Sequence, residues 1–337
     1  MNLMLRTLGL FLMFHAVAVC GCEPAAPPAP PAAEKPTDRP PPAGAPASQR
    51  APLKLTDWVL HPYVAAGEEN TAPLRIVSGA PNVTEMICAL GGRESLVGRT
   101  RYCEYPPGID SVPSIGALVD VNVEALLALK PDAIIIPGES RAQVEALGPL
   151  GFELKSVPDT TLEDLFRAIR RVGEVLGRRR SSKQLCERIA AELEAVDRRF
   201  AGSPSRRVLI VIGTLADPPA PPFVAGPKSF YDDLLRRAGH TNAAPPTNKE
   251  FAALSLEYIL SSNPDVIIEL DAEGRARPRG DEDARAAWAR LGALAAVENR
   301  RVHVLTGRRN LLLGPRIAFV YADLCRAING ERVADAD

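Results

Sequence analysis

VNVEALLALKPDAIII (residues 121–136) aligns without a gap on LSLEYILSSNPDVIIE (residues 254–269), at a constant offset of 133. Six of the 16 positions are identical: Glu124/Glu257, Leu127/Leu260, Pro131/Pro264, Asp132/Asp265, Ile134/Ile267 and Ile135/Ile268. Each copy reads as one unit. Asn122 or Ser255 caps a short helix, the Pro-Asp pair stops it, and a β-branched run supplies a strand buried on both faces. A repeat at this distance predicts two lobes containing the same helix-turn-strand element. Glu124 and Glu257 fall in the first turn of the two helices, where the helix dipole favours a carboxylate. Their recurrence in both copies marks them as a functional pair.

Outward from the repeat, short β-branched runs alternate with helical patterns, which predicts parallel strands with crossover helices. The first series is Arg75–Ser78, Leu96–Arg99, Ala133–Ile136 and Glu153–Ser156; the second is Val208–Ile212, Val266–Leu270 and Val302–Leu305. Between them, Thr161 to Ala201 is helix-forming throughout, with a break at the Gly177 region. In its second half Leu185, Ile189, Leu193, Val196 and Phe200 recur at helical spacing, so one long helix with an apolar face connects the lobes.

The 337 residues carry 40 Lys and Arg against 41 Asp and Glu, a net charge of -1 that gives no positive field for a phosphate backbone and argues against nucleic acid as a partner. Of the 32 prolines, 11 lie between Cys22 and Pro52, where 20 of 31 residues are Ala or Pro. Such a stretch cannot build a core; it predicts a stiff spacer reaching about 90 Å or less. Ahead of it, Arg6 is followed by an apolar run from Leu8 to Val19, too short for a membrane span and suited to a secretory signal. Val19-Cys20-Gly21-Cys22 resembles the lipobox of bacterial lipoproteins, which implies cleavage before Cys22 and a lipid on its sulfur. The chain thus divides into a signal peptide (1–21), a Pro/Ala-rich linker (22–55), an N-terminal α/β lobe (56–160), a helical connector (161–203) and a C-terminal α/β lobe (204–332). Trp58, Leu60 and Tyr63 suggest that the segment after the linker packs on the first lobe.

RIVSGAPNVTEMICALG (75–91), GRTRYCEYPP (98–107), the NVEALLALKPD run, PPFVAGPKSFYDDLLRRAG (221–239), SLEYILSSNPD and GPRI (314–317) occur in the order and spacing of one family. From about Leu74 to Gly330 the chain resembles periplasmic substrate-binding proteins of the cobalamin and iron-siderophore class. The resemblance implies an α/β fold of two Rossmann-like lobes, each with a parallel sheet, joined by one long helix, with a ligand cleft between them and small hinge motion. It also implies a lipid-anchored, monomeric protein that hands a metal chelate to an ABC permease and its ATPase. In that family one glutamate from each lobe docks on permease arginines, and the matching residues are Glu124 and Glu257.

The ligand candidates lie on strand-to-helix loops. Pro81 and Asn82 begin the first helix, with Glu85 placed for a capping box. Tyr102 matches a ring that stacks on the ligand in cobalamin binders, and Phe223 and Phe251 are candidates for the opposite wall. Three positions depart from the cobalamin pattern. Leu118 stands where those proteins often carry an aromatic residue, and Arg308 and Arg309 replace an acidic and aromatic pair. Adjacent guanidiniums suit carboxylates or phosphate, as in heme, an anionic siderophore or the cobalamin phosphate.

An exported protein can form disulfides, and Cys88, Cys103, Cys186 and Cys325 allow three complete pairings, none decided by spacing. Some relatives tie the last helix to the preceding lobe-two helix, but the corresponding place here is near Ala238, so the resemblance implies that this bridge is missing. His61, His240 and His303 are far apart with no HExxH spacing, so no protein-held metal is expected. Gly226-Pro227-Lys228-Ser229 lacks the glycine of a phosphate loop, the calcium-loop opening at Glu269 ends on Gly280, and no Gly-x-Ser-x-Gly elbow occurs. An exported α/β enzyme would need an acid, base and nucleophile that these loops do not offer, and a stand-alone scavenger has no use for paired docking glutamates. The expectation is a binding protein without a cofactor of its own.

Overall fold

The computed structural model describes residues 52–68, 74–118, 120–138, 147–217, 219–272 and 279–333. The signal segment 1–21, Cys22 and the linker up to residue 51 lie outside the described residues.

In lobe one, β1 (Ile76–Ser78), β2 (Leu96–Arg99), β5 (Ala133–Pro137) and β6 (Leu154–Val157) form a parallel sheet in the order β2-β1-β5-β6. Ile76, Val77 and Ser78 of β1 pair with Ala133, Ile134 and Ile135 of β5, and all six side chains are buried. Helix α1 (Pro81–Ala89) follows β1, and α2 (Val123–Leu129) precedes β5 after the small β3 (Gly116–Ala117) and β4 (Asp120–Val121) ladder. Two helices then connect the lobes, α3 (Leu162–Val175) and α4 (Arg179–Phe200), and the break between them holds Gly177 at φ +69°. Thr161 and Asp164 form a reciprocal capping box at the start of α3. Near its other end Gly173 lets α3 approach α4, since a Cβ there would sit 2.4 Å from the Ser182 Cβ.

Lobe two contains β7 (Arg207–Ile212), β8 (Phe223–Ala225), α5 (Phe230–Arg237), β9 (Thr241–Asn242), β10 (Phe251–Ala253), α6 (Leu256–Ser262) and β11 (Val266–Asp271). It closes with α7 (Asp281–Ala289), α8 (Ala295–Glu298), β12 (Val302–Thr306) and α9 (Ile317–Ile328). Its sheet order is β10-β8-β7-β11-β12, with β9 beside β7. Strands β7, β9, β11 and β12 are parallel, whereas β8 and β10 add an antiparallel extension. These two strands have three residues each, too few for a period-2 pattern to show in the sequence.

The repeat is reproduced bond for bond. The Asn122 side chain accepts from the Ala125 N–H at 2.9 Å, and the Ser255 hydroxyl accepts from the Tyr258 N–H at 3.2 Å. Both helices end on a left-handed residue, Lys130 at φ 44° and Asn263 at φ 42°. The structure extends the unit to an arginine that the alignment does not contain. The Arg75 and Arg207 N–H groups each donate to the aspartate of the Pro-Asp pair, Asp132 or Asp265, at 2.7 Å. Their side chains return to the end of the helix, at Leu129 O and Asn263 O, again at 2.7 Å.

Helix α4 buries Leu185, Ile189, Leu193, Val196 and Phe200. One hydrophobic cluster runs without a break from Ile76 and Val83 of lobe one through α3 and α4 to α9 and to Val208, Ile210 and Val266 of lobe two. Residues 52–68 form a strap along α4. Thr56 N–H and Trp58 Nε1 donate to Glu192 at 2.9 and 3.3 Å, Tyr63 Oη donates to Gln184 at 2.5 Å, and Ala65 N–H donates to Ser181 at 2.8 Å. Glu68 caps the free N–H groups of Arg180 and Ser181 at the start of α4. Trp58 and Tyr63 pack mainly against the connector rather than on lobe one as expected, and Leu60 is exposed.

Candidate functional site

The ends of β1 and β2 in lobe one face the loop after β12 in lobe two across a cleft of about 750 Å³. Its lobe-one wall is Pro81, Glu85, Tyr102, Glu104 and Tyr105; its lobe-two wall is Ala272, Gly307 to Arg309, Leu311, Leu312 and Arg316. The β1-α1 turn is tight because a Cβ at Gly79 would lie 2.9 Å from Ile135 O. That turn delivers Pro81 to the cleft at the first helical position, where a missing N–H costs nothing.

Glu85 corrects the expectation of a capping box. The residue before α1 is Ala80, which has no side-chain cap, and Asn82 Oδ1 instead accepts from the neighbouring Val83 N–H at 3.0 Å. Glu85 lies in the cleft floor, 1% exposed, and accepts two hydrogen bonds from Arg316, from Nη2 at 2.6 Å and Nε at 3.1 Å. Burial pushes the Glu85 carboxyl above its ordinary value while Arg316 pulls it back. Burial lowers Arg316, but the hydrogen bond and charge of Glu85 outweigh this and raise it, and the geometry of the pair is bidentate. One face of the guanidinium, measured at Cζ, lies 3.9 Å from the centroid of the Tyr105 ring. In GPRI the arginine is visible, but its partner is 231 residues away and no local pattern links them.

Tyr102 is 45% exposed, with the Arg101 guanidinium 5.2 Å from its ring centroid and donating to its hydroxyl at 3.2 Å. Arg308 reaches Glu104 of lobe one at 3.1 Å. Arg309 donates to Asp323 of α9 at 2.7 Å and covers Phe319. Each cleft guanidinium therefore has a carboxylate: Arg308 with Glu104, Arg309 with Asp323 and Arg316 with Glu85. Asn82, Leu118, Phe223 and Phe251 are not among the lining residues. Leu118 packs at the edge of the lobe-one core. Phe223 and Phe251 stack on each other at 6.1 Å in the antiparallel extension, and Phe251 meets Tyr231, whose hydroxyl donates to Asn310 O at 2.6 Å beside the cleft loop.

Glu124 and Glu257 are exposed in the first turns of α2 and α6. Among the described residues no group of three or more His, Cys, Asp or Glu is placed to hold a metal ion. No disulfide joins Cys88, Cys103, Cys186 and Cys325, all buried, and burial pushes the Cys88 and Cys186 thiols up to about 11. His303 Nδ1 lies 2.8 Å from Asp281, and Glu269 is buried, accepting from Leu215 N–H and Trp288 Nε1 at 2.9 Å.

Two lobes with a cleft at the strand ends and a packed helical connector define a two-lobed solute-binding protein. The chain belongs to the periplasmic binding protein family, whose model matches residues 76–308. It is 26% identical over 196 residues to the Vitamin B12-binding protein of Salmonella typhimurium, covering 58% of this chain and 71% of that protein. It is 25% identical over 263 residues to YvrC of Bacillus subtilis, an uncharacterized ABC transporter substrate-binding lipoprotein, covering 76% and 80%. Among solved structures, the periplasmic heme-binding protein BhuT in complex with two hemes superposes with a TM-score of 0.66 at 26% identity, covering 76% of this chain and 98% of that one. At the family level this is a class of binding proteins rather than of enzymes.

Proposed function

We propose that this chain captures a planar metal macrocycle, a corrinoid in the first place, and delivers it to an ABC permease. The observation that carries the ligand class is the pairing of an exposed aromatic face, Tyr102, with a lobe-two loop whose guanidiniums are already neutralised by carboxylates. A cleft of about 750 Å³ lies within the range of small-molecule sites, and stacking plus paired charges suits a large ligand of low net charge. The Salmonella relative named for vitamin B12 supports this choice. Heme or a ferric siderophore is the second reading. Arg308 is about half exposed, so a ligand carboxylate can displace Glu104 from it, and the Tyr102 phenol offers an oxygen to ferric iron.

Glu124 and Glu257 serve as docking carboxylates for the permease, with ATP hydrolysis left to other subunits. Residues 1–21 act as a signal peptide, Cys22 carries the lipid, and 22–55 holds the monomeric domain off the membrane, on its extracytoplasmic side; the YvrC lipoprotein name supports the anchor. Titration of the protein with cyanocobalamin, hemin and a panel of ferric siderophores, followed by calorimetry, tests the ligand. A Kd below about 1 μM for cyanocobalamin alone supports the corrinoid, and tight binding of hemin alone replaces it with the second reading.

A further inference from the structure

Asp57 of the strap (residues 52–68) touches a residue of the cleft lining, Tyr105. Its Oδ1 accepts from the Val59 and Leu60 N–H groups at 3.0 and 3.3 Å, which fixes the local turn. Its Oδ2 accepts from the Tyr105 hydroxyl at 2.6 Å. Tyr105 is the ring against Arg316, and Arg316 is the partner of Glu85. Asp57 is itself held, because its neighbours Thr56 and Trp58 both donate to Glu192 of α4. A continuous path therefore runs from the connector through the strap to the cleft floor.

Two constraints set the attitude of a buried guanidinium. The bidentate carboxylate fixes its direction but leaves rotation about the axis of the pair, and an aromatic face against the plane removes that rotation. Here the ring packs at the edge of the core, and its far end, the hydroxyl, is tied by Asp57. We propose that Asp57, which lies outside the cleft on the segment following the Pro/Ala-rich stretch, is a positioning residue for the ligand: by holding Tyr105 it sets the orientation of Arg316. This inference rests on the cleft being the ligand site.

The test uses Asp57→Ala, Asp57→Asn and Tyr105→Phe in the full chain. The Arg316 Nε–H signal in ¹⁵N-edited spectra reports the ring by its shift and the pairing by its exchange with water, without any ligand. Asp57→Ala and Tyr105→Phe are expected to reduce the ring shift and speed exchange about tenfold. Asp57→Asn, which keeps an acceptor oxygen for the hydroxyl, retains the wild-type signal. Tyr105→Phe leaves the bonds of the turn at Asp57 intact, and Trp58 emission verifies that the strap stays seated. In parallel titrations with cyanocobalamin and hemin, affinity for the probe that binds falls about five- to tenfold in each disrupting variant. The double variant falls no further, since both act through one bond.

An unchanged Arg316 signal in both disrupting variants overturns the proposal whether or not a probe binds. So does a changed signal with unaltered affinity for a probe that the wild type binds. A wild type that binds neither probe overturns the ligand reading instead, and the Arg316 signal still decides whether Asp57 positions it.

Discussion

His240 is 3% exposed, and its Nδ1 has no hydrogen-bond partner. Burial, helped by the Arg206 charge, pushes its pKa down to about 4 from an ordinary 6.5. The folded value lies below the unfolded one, so its contribution to stability is complete above about pH 6.5 and is lost as pH falls toward about 4, a loss approaching 3 kcal/mol for a buried ring. The thermal midpoint is expected to drop between pH 7.5 and 5, and His240→Gln should flatten that drop; an equal drop in the variant would place the pH dependence elsewhere. Tyr102 separates the two ligand readings. Tyr102→Ala is expected to weaken binding of either ligand by about 2 kcal/mol in calorimetric titrations. Tyr102→Phe keeps the stacking face and should preserve corrinoid affinity, whereas an iron chelate held by the phenol oxygen would be lost. Pro81, Tyr102, Arg308 and Arg309 line the cleft, where the strand-end loops and the family resemblance together led to expecting them. Glu85 was misread, since capping is a local rule and its partner Arg316 belongs to the other end of the chain.

At the scale of elements, the helix pair α3 and α4 depends on a missing side chain. Gly173→Ala places a methyl group against the Ser182 Cβ, and the resulting overpacking should cost about 1–3 kcal/mol, read as a lower urea midpoint at unchanged slope. Adding Ser182→Gly should recover part of the loss despite its own helix penalty; no recovery would mean that the strain lies in the backbone. The break at Gly177 and the apolar face of α4 were readable because helical periodicity is strong over 22 residues. The antiparallel β8 and β10 were not, because three-residue strands carry no period and their pairing is decided by what they pack on. The strap was readable as aromatic residues seeking a surface, but its ladder of Glu68, Tyr63 and Thr56 along α4 is made of contacts more than 110 residues apart.

At the scale of the molecule, the two-lobe plan was legible because it is written twice in the sequence. The connecting helix was legible too; what was not is that the cluster crossing α3, α4 and α9 is one core rather than two. A connector packed on both sides permits small closure of the cleft and resists large hinge opening. On the proposed role of Glu124 and Glu257, charge reversal of both should abolish uptake in a transport assay while leaving Kd for the captured ligand unchanged. A loss of affinity instead would move these residues into the binding machinery. Each glutamate rides on a helix tied to the first strand of its own lobe by the same exchange, Arg75 with Asp132 and Arg207 with Asp265. Neither helix can shift far without its lobe, so the distance between the two works as a pair of calipers: spin labels at these two sites would read the opening of the cleft, and a permease gripping both would be measuring whether the cargo is aboard.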